Sequence, residues 1–158
     1  LGGADHPLLD AIASSALAKI SEFTPQEMAL MAWSGASLAY LDAPLLAAIA
    51  AAALPKIADF SARDMSSLAW ACAKVPFRTE PLLYVIAAGS MNRISEFSIV
   101  GLANVAWSFA RLLLPHWPLL NAIAAGALPT IDEWTQQNMA NTAWSCAKLQ
   151  FVHEPLLS

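Results

Sequence analysis

Charge is what this sequence has least of. Only 13% of its 158 residues are Asp, Glu, Lys or Arg, about half the share usual in a soluble chain. The balance that remains is acidic, a formal −4. A freestanding nucleic-acid binder is usually basic, so bulk charge does not point to one. Cysteine is scarcer still. Cys72 and Cys146 make no disulfide framework, and a reducing compartment is the simpler reading. No apolar run reaches the ~20 residues of a membrane span; the longest candidate, Leu45 to Leu54, is stopped by Pro55 and Lys56. No basic-then-apolar leader opens the chain. Catalytic signatures are missing too. There is no Gly-rich phosphate loop or nucleophile motif. His6, His116 and His153 lie far apart, with no zinc-type spacing. The expectation is therefore no enzyme activity, no cofactor, no metal, no small-molecule substrate and no membrane insertion.

What the chain does have is apolar and periodic. It is 58% hydrophobic, and its pattern repeats every 37 residues. Pro-Leu-Leu begins at Pro7, Pro44, Pro81, Pro118 and Pro155. Tryptophan recurs in step at Trp33, Trp70, Trp107 and Trp144, as do Ile20, Ile57, Ile94 and Ile131. So does an aromatic, at Phe23, Phe60, Phe97 and Trp134. A fixed period of this length is the mark of a solenoid. The units run 7–43, 44–80, 81–117 and 118–154 within one domain, 1–158, and residues 1–6 and 155–158 read as partial repeats. The expected fold is all-α, an α-solenoid of helix-turn-helix units and a fragment of a longer array.

Numbering each unit from its Pro, the first helix opens with Pro at its first position, where the missing N–H costs nothing. Its apolar stripe is 2, 3, 6, 7, 10, 11 and 14. Pro55 and Pro129 at position 12 should kink it or split off its last turn. The second helix begins at an N-cap in position 18: Thr24, Ser61, Ser98 and Thr135. Thr24 with Glu27 fits a capping box, and Ser61 with Asp64 a weaker one. Positions 22, 26, 29, 30 and 33 are its expected buried stripe.

A constant period turns repeated residues into ladders. Lys19, Lys56 and Arg93 at position 13 stand three residues before the acidic column Glu22, Asp59, Glu96 and Glu133. That spacing shares a helix face, so the two columns are expected to pair. On the second helix, positions 20, 24, 28 and 31 form a polar stripe. It holds Gln26, Arg63 and Gln137 at position 20, Ser67, Asn104 and Asn141 at position 24, Ser34, Ala71, Ser108 and Ser145 at position 28, and Lys74, Arg111 and Lys148 at position 31. Cations suit phosphates, and amides suit exposed base edges. The same residues also fit a solvated face with cations near the helix C-terminus. Asp10, Tyr84 and Asn121 share position 4 with Ala47, a column that differs in every unit. It is either a specificity column or a free surface position. The tryptophans could stack bases, but they neighbour alanines of the core stripe and are expected to pack inside. Cys72 and Cys146 should be buried thiols.

The runs Leu102-Ala-Asn-Val-Ala-Trp-Ser-Phe-Ala-Arg-Leu and Met139-Ala-Asn-Thr-Ala-Trp-Ser-Cys-Ala-Lys-Leu resemble octotricopeptide repeats and their 37-residue relatives, the heptatricopeptide repeats. So do Glu-Pro-Leu-Leu-x-x-Ile-Ala and Leu-Pro-x-Ile-x-x-Phe/Trp-Ser/Thr. The resemblance covers nearly the whole chain. It implies an α-solenoid that binds single-stranded RNA in a chloroplast or mitochondrion and controls transcript stability, processing or translation. Two alternatives remain open. One is a scaffold binding an extended peptide or protein partner in an armadillo-like groove, since Asn104 and Asn141 stand three residues before a Trp. The other is a structural spacer.

Overall fold

The computed structural model describes residues 6–40, 42–75 and 77–151. Its elements are α-helices and short 3₁₀ turns. The segments read as partial repeats lie outside the described residues, apart from His6. Eight α-helices are described: α1 Pro7–Lys19, α2 Pro25–Ser37, α3 Ala43–Ala53, α4 Ala62–Lys74, α5 Glu80–Asn92, α6 Ile99–Arg111, α7 Trp117–Ala127 and α8 Gln136–Lys148.

Local chemistry sets their limits. Proline occupies the first turn of α1, α3, α5 and α7. Asp42 caps α3 by accepting from the Leu45 N–H at 2.9 Å, and His116 Nδ1 caps α7 by accepting from the Leu119 N–H at 3.2 Å. All four expected Ser/Thr N-caps form. The Ser61–Asp64 pair makes both bonds of a capping box, each 3.1 Å, as fully as Thr24 does with Glu27. Pro55 and Pro129 act as expected: α3 and α7 stop at Ala53 and Ala127, and a six-residue 3₁₀ turn follows each. Without that proline, α1 and α5 run further, and the turn shrinks to Ile20–Glu22 and Ile94–Glu96.

The second helices, α2, α4, α6 and α8, pack side by side in one row. The first helices form a looser second row. Small buried residues allow the close approach: Ala29, Ala32 and Ala36, then Ser66, Ala69 and Ala73, then Ala103, Ala106 and Ala110. The core lies between the rows, with Met65, Leu68, Leu82, Leu83, Ile86, Phe109 and Leu119 fully buried. The aromatic column at position 17 belongs to it, Phe60 and Trp134 being buried.

Position 33 departs from expectation. Ala39, Leu113 and Gln150 are exposed, not buried, and sit just past the second helix with φ of 54°, 54° and 55°; Pro76 lies outside the described residues. Each is a left-handed C-terminal cap. The following residue closes it by donating back five residues, as Tyr40 N does to Gly35 O at 3.0 Å and Leu114 N to Phe109 O at 2.9 Å. Leucine is strained there, and its side chain is 55% exposed, so little packing depends on it. Leu113→Gly is expected to raise stability by about 0.5–1 kcal/mol in urea denaturation. A loss of stability would show that Leu113 packs more than its exposure indicates.

Candidate nucleic-acid interface

The row of second helices carries the sequence-predicted stripe, with one exchange. Position 28 is not on the surface. Ser108 and Ser145 are fully buried, and their hydroxyls donate back to the Asn104 and Asn141 carbonyls at 2.6 and 2.7 Å. Position 27 takes its place. Trp33 and Trp144 are 45% and 43% exposed, and Trp70 and Trp107 are half-buried at the edge of the core. The expectation that this ladder packs inside holds for Trp70 and Trp107, which pack against the core with part of each ring open, and is corrected for Trp33 and Trp144. A helix turns about 100° per residue, which puts position 27 about 20° outside the arc of positions 20, 24 and 31 on one side and position 28 about 40° outside it on the other. Helical angle alone therefore does not separate the two; packing between neighbouring second helices does.

The stripe side chains meet one another. The Lys74 ammonium lies over the Trp70 ring, 5.9 Å from its centroid, and the Arg111 guanidinium over Trp107 at 5.7 Å. Each pair is one helical turn apart. Arg111 Nε also donates to the Ala73 carbonyl at 3.1 Å, tying α6 to the end of α4. Lys74, Arg111 and Lys148 are exposed, as are Arg63 and Gln137. Ser67, Asn104 and Asn141 are half-buried, and among the described residues no hydrogen bond occupies the two Asn side-chain amides. The Trp33 and Trp70 rings stand 6.3 Å apart across the first junction.

Two shallow hollows lie between successive second helices. One, of about 320 Å³, joins Gln26, Leu30 and Trp33 of α2 to Arg63 and Ser67 of α4. The next, of about 310 Å³, joins Arg63, Ser66 and Ser67 to Val100, Gly101 and Asn104 of α6, with Glu96 at its rim. Positions 20 and 24 of two neighbouring units thus face each other, with Arg63 reaching both hollows.

The position 4 column does not join this surface. The Tyr40 hydroxyl donates to the Asp10 carboxylate, a bond that pushes the tyrosine up to about 12. Tyr84 is exposed with its ring 6.1 Å from that of His116, and Asn121 is exposed on α7. Asp10 and Tyr84 therefore meet the segments leading to the next unit.

The position 13 column is also corrected. Lys56 and Arg93 do not pair with the acidic column. Each donates to two carbonyls of the preceding unit: Lys56 Nζ to Ser21 O and Phe23 O at 3.0 and 3.1 Å, Arg93 to Ala58 O at 2.6 Å and to Phe60 O. These carbonyls sit where a 3₁₀ turn gives way to extended backbone, and the cation satisfies them, whereas an exposed ion pair would contribute little. The ion pair seen among the described residues is Arg78–Glu80, 2.9 Å, on the surface.

Burial pushes the Cys72 thiol up to about 12 and raises that of half-buried Cys146, so neither is poised as a thiolate. Backbone and side-chain hydrogen bonds with Thr24 lower Glu27. Among the described residues no three His, Cys, Asp or Glu side chains cluster as metal ligands, and no helix is long and apolar enough to cross a membrane.

The class defined by this fold is an all-α stack of helix pairs presenting one continuous polar and aromatic stripe. Over residues 6–155 the sequence matches the family model of the RNA-editing substrate-binding complex 6 protein, and the chain belongs to that family. Comparison with curated proteins finds no match. The family is a helical one whose name ties it to RNA; the finer likeness to octotricopeptide and heptatricopeptide repeats rests on the motifs alone.

Proposed function

We propose that this chain binds single-stranded RNA along the row of second helices and acts by occupancy rather than catalysis. The observation that carries this reading is the pairing of each central Trp with its own cation, Lys74 on Trp70 and Arg111 on Trp107, beside open amides. In an armadillo-like groove the indole faces would receive an incoming basic side chain. Here the chain's own cations already lie over those faces, which favours a polyanion. A stack bends toward its more closely packed row, which would set the stripe on the inner face of the curve. The family name, with its reference to an editing substrate, supports the same partner and adds protein partners in a complex. The motif resemblance extends the proposal to an octotricopeptide-type mode of binding in an organelle, controlling transcript stability, processing or translation.

Fluorescence anisotropy with random single-stranded RNA pools at two salt concentrations tests it. Salt-sensitive binding is expected. Changing Lys74, Arg111 and Lys148 together to Ala should weaken it and flatten the log–log salt slope by about 2, at ~0.7 for each phosphate no longer neutralised. Arg78→Ala, off the stripe, should change neither. No binding by folded protein at low salt would sink the reading and favour the extended-peptide scaffold.

A further inference from the structure

We propose that Trp33, Trp70, Trp107 and Trp144 are the base-stacking platform of this surface, each offering a ring face to a nucleotide; at Trp70 and Trp107 the phosphate draws Lys74 and Arg111 off that face, whereas Trp33 has Ser37 where the later units have a cation. This deepens the RNA reading above and rests on it.

The fold buries large aromatics where it needs them, as Phe60, Phe109 and Trp134 show. At position 27 it does otherwise in four successive units. Each indole there is left half-open on the same face, in line with the amides and cations. A single exposed apolar side chain needs no explanation, but a regular row rimmed by polar groups marks a binding surface. The indole N–H groups fit the same reading. Trp134 Nε1 donates to Thr130 Oγ1 at 3.2 Å, whereas among the described residues none of the four position-27 indoles has a hydrogen-bond partner for its N–H. A second observation offers room beside them: Trp33 itself lines the hollow with Gln26, Arg63, Asp64 and Ser67. A base stacked on that ring would turn its edge toward a guanidinium, an amide, a hydroxyl and the Asp64 carboxylate.

The chemistry that fits is a flexible single strand with splayed bases. Stacking tolerates any base, because each has a π-face. Selectivity would then come from the hollows, where position 20 and position 24 residues of two consecutive units meet. The residue pairs differ from junction to junction: Gln26 and Leu30 face Arg63 and Ser67 at one, and Arg63 and Ser67 face Val100 and Asn104 at the next.

The test uses the whole chain with two RNA strands of equal length, one normal and one with abasic positions that keep every phosphate. Trp70→Leu and Trp107→Leu preserve apolar bulk and remove the ring; Trp70→Phe and Trp107→Phe restore a π-face. Circular dichroism confirms that each variant is folded. Each Leu variant should bind the normal strand roughly 5- to 150-fold more weakly, with the Phe variant recovering most of the deficit. The salt slope should hold, because no cation is removed. The abasic strand should bind wild type more weakly and be indifferent to Trp→Leu. Intrinsic fluorescence of the wild type should be quenched by the normal strand more than by the abasic one. Folded Leu variants that bind the normal strand like wild type, while the triple-cation variant fails, would overturn the stacking role and leave the RNA reading standing. An equal weakening on both strands would mark the tryptophans as structural and also overturn it. Wild type silent toward RNA, or an extended peptide captured on these indoles, would remove both.

Discussion

Phe109→Ala should cost about 3–5 kcal/mol of stability, measured by equilibrium urea denaturation. The ring is fully buried on α6. Its position is one the repeat does not hold constant in size: the equivalent residues are Gly35, Cys72 and Cys146. The third unit has therefore been filled around a phenyl ring, and the void left by Ala has little to fill it. The His116 ring stands edge-on to Phe109, 6.4 Å between centroids, and His116 Nδ1 caps α7. Removing the phenyl unseats the cap as well as the packing, which puts the figure toward its upper end. Phe109→Leu, which keeps most of the volume, should cost well under half as much. Each unit touches only its neighbours, so the damage should begin locally, and a broadened or split transition is the expected form. A loss below ~1 kcal/mol would mean that α6 and its neighbours close over the gap.

Much of this architecture is legible because its causes are local. Thr24, Ser61, Ser98 and Thr135 announce helix starts through bonds to residues three positions on. Pro55 and Pro129 end α3 and α7 through their own rings and missing N–H groups. The period supplies the rest, since any column read once is read in each unit. The candidate surface is legible only in part. Arg63, Gln137, Ser67, Asn104, Asn141, Lys74, Arg111 and Lys148 follow from helical spacing. The alanine neighbours of Trp107 point it to the core, although it lies three residues after Asn104 and four before Arg111. Neither residue type nor helical angle separates position 27 from position 28; contact between neighbouring second helices does.

Less accessible are contacts between units. Nothing within a helix tells Lys56 to reach back 35 residues to Ser21 O rather than three forward to Asp59. The pair Thr130 and Trp134 shows the same dependence from the other side. Where position 17 becomes Trp, its N–H needs an acceptor, and position 13 has become Thr, which supplies one. The cation column lapses in the unit where the aromatic changes. That coupling is visible in the sequence once the three-dimensional contact is known, and not before.

Arg93→Met is the variant that isolates this link between units, and it should cost about 1–3 kcal/mol. The guanidinium of Arg93 spans Ala58 O and Phe60 O, and Lys56 spans Ser21 O and Phe23 O, the same two positions one unit earlier. The recurrence across two junctions makes it a clamp rather than an accident of one side chain. Methionine keeps the length and apolar stem of arginine but donates nothing, so it leaves the buried Phe60 carbonyl without its partner while disturbing packing little. Arg93→Lys should lose less than 1 kcal/mol, because Lys56 shows that one ammonium can serve both acceptors. An exposed ion pair with Glu96 would give a different signature: a loss of a few tenths of a kcal/mol, abolished by salt. The carbonyl clamp predicts instead that the Met variant's deficit persists in ~0.5 M salt, since screening acts weakly on a short, partly buried charge–dipole bond. Urea denaturation of wild type, Met and Lys variants at low and high salt separates the two. A deficit that vanishes in high salt would restore the pairing with the acidic column; one that persists, and is relieved by Lys, identifies the clamp as what fixes each unit's register on the one before it.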